Sequence, residues 1–115
     1  MDSGWHVPID AEWKTLTDYL GGESVAAGKL KEIGTTHWVS PNTGATNEYG
    51  YTALPGGYRF INGFFVDIGL FGNLWSSTEA NISSAWYLFI SFGDYNTRRE
   101  NHDKNYGFSV RCLSD

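Results

Sequence analysis

Three observations predict an α+β fold held in a single domain. Helical periodicity is confined to residues 10–31, turn formers crowd residues 34–57, and short apolar stretches punctuated by Gly, Asn and Ser fill the rest. The chain is 115 residues long, so residues 1–115 read as one domain, cut from a longer protein. Aromatics make up 17% against 18% charged residues and 14 Gly, which excludes disorder and argues against a helical bundle.

The first helix is predicted over residues 10–20. Asp10 is its N-cap, Trp13, Leu16 and Leu20 form an i, i+3, i+7 stripe, and Gly21-Gly22 stops it. A shorter helix covers Glu23 to Lys31, weakened by Gly28. Ser40-Pro41-Asn42-Thr43-Gly44, Glu48-Tyr49-Gly50 and Leu54-Pro55-Gly56-Gly57 then mark a long loop, with Trp38, Tyr49, Tyr51 and Leu54 available to pack it. Tyr58–Ile61 and Phe64–Ile68 read as a hairpin turned by Asn62-Gly63. Strands follow at Leu74–Ser77, Ala85–Phe92 and Tyr106–Leu113. On the last of these Phe108, Val110 and Cys112 share a face, with Cys112 read as a small buried hydrophobe.

Charge narrows the partners. Eight Lys plus Arg against thirteen Asp plus Glu give a net charge of −5, and the one adjacent basic pair, Arg98-Arg99, is followed by Glu100. That balance argues against nucleic acid, which selects a basic stripe. The longest apolar run, Ala85 to Phe92, is broken by Ser91 and falls far short of a membrane span. One cysteine forms no internal disulfide, and no Cys/His spacing suggests a metal site. No cofactor is implied.

Certain residues, in order, are more specific. Gly4-Trp5-His6-Val7-Pro8, Asp10-Ala11-Glu12-Trp13, Ala53-Leu54-Pro55-Gly56-Gly57-Tyr58-Arg59, Trp75-Ser76-Ser77-Thr78-Glu79, Ala85-Trp86-Tyr87 and Tyr106-Gly107-Phe108-Ser109-Val110-Arg111-Cys112 run through nearly the whole chain. Together they resemble the major paralogous domain of Fibrobacter succinogenes. The resemblance implies a C-type-lectin-like fold, similar to that of the formylglycine-generating enzyme and of proteins diversified by retroelements. Family members often carry Cys-Pro ahead of the Ser-Gly-Trp-His stretch, and that cysteine would be a natural partner for Cys112. Met1-Asp2 stands there instead, so the bridge is either absent or made with a residue upstream.

The motif residues read as structure. Trp5, Trp13, Trp75 and Trp86 are assigned to the core, His6 and His37 to structural hydrogen bonds, and Ser76, Ser77 and Thr78 to a turn with capping hydroxyls. No catalytic set is visible. Formylglycine-generating enzymes use paired cysteines, and the Glu-Pro-Asn, Gln-Pro-Asp and Trp-Asn-Asp triplets of calcium-dependent lectins are missing. The expected function is therefore non-enzymatic binding of a protein or glycan on a cell surface, by a domain displayed on a bacterial surface protein or phage adhesin. The alternative is a structural module of a multidomain surface protein.

The recognition surface is expected within residues 70–105, where retroelement-diversified proteins of this fold vary. On the strand from Trp86 to Phe92, alternation turns Trp86, Leu88, Ile90 and Phe92 to the core and leaves Tyr87, Phe89 and Ser91 outside. Leu70, Phe71 and Asn73 flank that face on one side. Gly93 to Asn105, a stretch without aliphatic residues, flanks it on the other and offers Asp94, Tyr95, Asn96, Arg98, Asn101, His102 and Asp103.

Overall fold

The computed structural model describes residues 4–115, so the Met1-Asp2 departure lies outside the described residues. Elements follow in the order β1 (Trp5–His6), α1 (Asp10–Tyr19), α2 (Glu23–Leu30), β2 (Tyr58–Arg59), β3 (Phe65–Val66), β4 (Phe71–Asn81), β5 (Ser84–Ser91), β6 (Thr97–Asp103) and β7 (Leu113–Ser114). All strand pairing is antiparallel: β4-β5-β6 form the main sheet, β2 pairs with β3, and β1 pairs with β7. The fold is mixed α+β. No helix among the described residues is long and apolar enough to cross a membrane.

The two helices stand where their periodicity puts them. Asp10, read as the N-cap, is instead the first helical residue of α1, and Ile9 takes the cap, its N–H donating to the Glu12 carboxylate at 3.0 Å. The Asp10 N–H donates to Thr78 Oγ1 at 2.8 Å, which ties the start of α1 to β4. Ser77 reinforces the tie, its N–H donating to the Pro8 carbonyl at 2.8 Å, and Ser76 Oγ donates to the Trp86 carbonyl at 2.9 Å. These hydroxyls do the capping work expected of the Trp-Ser-Ser-Thr motif.

Trp13, Leu20, Ala26, Ala27 and Leu30 of the helical region bury against Leu88 and Ile90 of β5. Trp38 and Ala53 of the loop complete this core, and the Trp38 indole N–H donates to the Ala53 carbonyl at 2.9 Å. The loop spanning residues 31–57 contains neither helix nor paired strand beyond isolated bridges. Trp38 and Tyr51 pack it as expected, whereas Tyr49 and Leu54 are exposed.

Two contacts hold the loop down. Lys31, fully buried at the end of α2, donates to the carbonyls of Thr43 (2.8 Å), Ser91 (3.0 Å) and Asp94 (3.2 Å). Burial lowers its ammonium to about 8, with the Asp94 charge pulling the other way, so it remains protonated and donating at neutral pH. Gly28 explains itself by close approach: a Cβ there would collide with the Gly44 carbonyl oxygen. The Thr46 N–H also donates to the Gly28 carbonyl at 2.7 Å.

The second half departs from expectation in four places. Thr97–Asp103, expected as loop, is strand β6, because it pairs in register with β5 although it carries no apolar alternation. The Asn62-Gly63 hairpin exists, but its turn is closed by the Phe60 N–H to the Phe64 carbonyl at 2.8 Å, so β2 and β3 are two residues each. Tyr106–Leu113 is not a continuous strand; only Gly107 and Ser109 make isolated bridges before β7. The tryptophan assignment also divides: Trp13 is buried, Trp75 and Trp86 are half-buried, and Trp5 is 54% exposed on the two-residue β1.

Lys31→Met should lower stability by about 3 kcal/mol, since three carbonyls lose the donor on which they converge. Between pH about 8 and about 10.5 the unfolded chain holds a proton that folded Lys31 has released. Wild type should therefore gain on Lys31→Met as pH rises through that window, and denaturant melts at pH 7.5 and 10 check both points. Gly28→Ala would strengthen a free helix by about 1 kcal/mol. In this fold it should cost about 2 kcal/mol, read as a lowered Tm, because the added methyl meets backbone.

Candidate ligand-binding cleft

The main sheet has two covered faces. Register pairs Phe71 with Ser91, Asn73 with Phe89 and Trp75 with Tyr87 across β4 and β5, and Phe89 with Arg98 and Tyr87 with Glu100 across β5 and β6. Side chains alternate, so these residues share the face away from the helices, while Leu74, Leu88 and Ile90 face them. Rings from outside the sheet cover the far face. Phe108 lies 4.3 Å from Trp75 and 4.7 Å from Tyr87 between ring centroids, and Tyr106 stacks on Tyr58 at 5.7 Å.

This covering corrects the reading of Tyr87. It is only 8% exposed, because Phe108 and Trp75 close over it, and so it is a buried prop of the far face. Phe89 remains half-buried, 5.0 Å from Phe71, with the Arg98 guanidinium 5.6 Å above its ring.

A cleft of about 240 Å³ opens on this face. Phe71, Asn73, Tyr87, Phe89 and His102, all expected in the recognition surface, line it. Tyr58, Asp67, Tyr106 and Phe108 complete the wall and were not expected there. Tyr58, Tyr106 and Phe108 sit in motifs read as framework; the two-residue spacing of Tyr106 and Phe108 is the signal that could have placed both rings on one side. Asp67 lay inside a run read as strand, and no pattern marked it.

The polar groups of the cleft are positioned by backbone. Asn73 is buried and donates through Nδ2 to the Gly57 carbonyl at 3.1 Å. Gly57 itself, at φ +61°, leaves no space for a Cβ beside the Val66 carbonyl. His102 Nδ1 accepts the Asp103 N–H at 2.9 Å, which leaves Nε2 to carry the proton of the neutral ring. Asp67 adopts φ +61°, a left-handed conformation, and its carbonyl accepts the N–H groups of Leu70 (3.0 Å) and Phe71 (3.2 Å). Burial first, then the Asp67 charge, raises the Tyr58 phenol above its ordinary value, so it stays neutral.

The remaining expected residues do not reach the cleft. Ser91 and Arg98 share its face at the edge. Leu70 belongs to the turn before β4, and its carbonyl accepts the Phe92 N–H at 2.9 Å. Asp94, Tyr95 and Asn96 form the β5–β6 turn. There Asp94 Oδ1 accepts the Asn96 N–H, the Tyr95 carbonyl accepts the Ala27 N–H, and the Tyr95 ring packs on Gly44, so this turn anchors to α2 and the loop. Asn101 pairs with Trp86 and Asp103 with Ser84, which turns both to the opposite face.

Other candidates resolve as structure. His6 is held at both ring nitrogens, Nε2 to Glu12 at 2.9 Å and Nδ1 to Asp115 at 2.7 Å. Those hydrogen bonds, Glu12 first, raise the imidazole above its ordinary value, and neither nitrogen is available as a base. His37 Nδ1 meets Glu32 at 2.8 Å. Cys112 is half-buried along a groove shared with Trp13, Leu16 and Tyr51, less buried than expected. Arg99 of the adjacent basic pair bridges Glu23 (2.8 Å) and Asp10 (2.6 Å) and ties β6 to the starts of both helices.

Tyr87→Ala should cost about 3 kcal/mol, as a large-to-small change under two rings. Phe89→Ala, half-exposed at the cleft, should cost less than about 1.5 kcal/mol. Paired urea melts of the two variants check the difference.

No curated protein and no solved structure matches the chain. The Fibrobacter succinogenes major domain matches residues 3–114, nearly the full length and all six motifs. The chain therefore belongs to the Fibrobacter succinogenes major domain family.

Proposed function

We infer that this domain is a non-enzymatic binding module of C-type-lectin-like fold, displayed on a bacterial surface protein or phage adhesin, with the aromatic cleft as its recognition site. One observation carries the reading: a concave, ring-lined cleft of about 240 Å³ on the sheet face away from the helices. Large rings around a few placed polar groups are what small-ligand and hot-spot sites share. Phe89 under Arg98 supplies an accessible anchor at its edge. The nine lining residues supply ring surface together with the hydrogen-bonding groups of Asp67, Asn73, His102 and the tyrosines.

The layout also supports the diversified-protein reading in revised form. The framework motifs hold Tyr58, Tyr106 and Phe108, while Phe71, Phe89, Ser91 and Arg98 on the same face lie outside those motifs. The ligand is a protein or glycan presented at a cell surface.

Labelled domain should bind saturably to at least one member of a panel of bacterial cells or a printed glycan array. The Phe89→Ala/Arg98→Ala double variant, confirmed folded by circular dichroism, should bind the same target at least tenfold more weakly, about 1.4 kcal/mol. Equal binding by the double variant, or no saturable binding by wild type, overturns the reading.

A further inference from the structure

We propose that the cleft takes a methylated ammonium group, the chemistry shared by choline head groups and trimethylated lysine side chains. The inference rests on the cleft being a recognition site and names the class of ligand it would hold.

The argument starts from Asp67. Asp67 lines the cleft, its charge is felt by Tyr58, and none of the ion pairs among the described residues includes it. Among the described residues no side-chain hydrogen bond holds it either, and the Arg98 guanidinium at the edge of this face lies over the Phe89 ring and 4.0 Å from Glu100. The residue adopts a left-handed backbone conformation, one that Asp and Asn tolerate better than other side chains with a Cβ. Asp67 thus shares the cleft wall with Tyr58, Tyr106 and Phe108, and no ion pair among the described residues neutralises it.

Ring faces carry the negative end of the aromatic quadrupole, so they and the carboxylate attract the same kind of guest. A divalent metal is a poor fit, since it wants several oxygen ligands and the wall has one carboxylate. A primary ammonium brings three N–H donors and a tight hydration shell that ring faces do not replace. A methylated ammonium brings charge, apolar surface and no such demand. The cleft volume of about 240 Å³ suits a head group or single side chain, being below the roughly 300–1,000 Å³ of drug-sized sites.

Isothermal titration with tetramethylammonium, choline and Nε-trimethyl-lysine tests this, with neutral 3,3-dimethylbutan-1-ol as the uncharged isostere. The expected result is saturable binding of the cations, with the alcohol about tenfold weaker or worse. Asp67→Asn keeps a residue type that tolerates the left-handed backbone. It should weaken the cations about tenfold without changing the alcohol or the Tm. Tyr106→Leu should weaken the cations as a second, independent readout. Preference for choline over trimethyl-lysine assigns the head group to a lipid or glycan, and the reverse to a modified protein. The proposal is overturned if no cation saturates, if the alcohol binds equally well, or if Asp67→Asn keeps full affinity for the cations. Cell or glycan binding that survives Asp67→Asn but is lost in Phe89→Ala/Arg98→Ala leaves the recognition site standing and removes the cation.

Discussion

The buried ammonium of Lys31 is the contact on which the rest of the fold depends. It ends α2 and gathers carbonyls from three distant segments: Thr43 in the long loop, Ser91 at the end of β5, and Asp94 in the turn to β6. A charge in a protein interior is tolerated only when its donors are satisfied, so those segments must converge on it together. Their convergence sets where the loop leaves the helices and where β6 begins. The Trp38 ring, 5.6 Å away, closes the site on one side. Arg99 repeats the device at the other end of α2, bridging Glu23 and Asp10 from β6.

With one face of the sheet pinned to the helices, the chain has to cover the other face as well. It does so with aromatic side chains from segments that have almost no regular structure. Tyr58 comes from a two-residue strand, and Tyr106 and Phe108 from the irregular stretch before β7. Large rings suit this task, because each buries much surface and pairs edge to face without needing a regular backbone. A covering of rings does not close as completely as a helix, and the cleft is the gap that remains. Its polar groups are held by main-chain contacts, as in Asn73 to Gly57, so its shape is set before any ligand arrives.

Much of the framework was legible in residue order. The Trp13, Leu16 and Leu20 stripe and the Gly21-Gly22 stop locate α1 within a residue, and the structural roles of His6 and His37 hold. Alternation along β5 correctly separates Leu88 and Ile90 from Tyr87 and Phe89. What alternation does not carry is whether a face meets water. Tyr87 was read as exposed because nothing near it in sequence covers it; Phe108, 21 positions later, does. Strand β6 was missed for a related reason. Its residues Arg98, Arg99 and Glu100 carry no apolar period, and pairing with β5 is what makes them a strand.

The sequence by itself determined the family, the mixed α+β class, the two helices and the side of β5 that each residue takes. Those properties follow from local periodicity, turn chemistry and motif order, each readable within a few residues. Only the tertiary structure decided that Lys31 is buried, that Asp94, Tyr95 and Asn96 form a turn away from the cleft, and that Asp67 joins the cleft. Each of those depends on partners far apart along the chain, whose approach is set by long-range packing and backbone hydrogen bonds that no local pattern encodes.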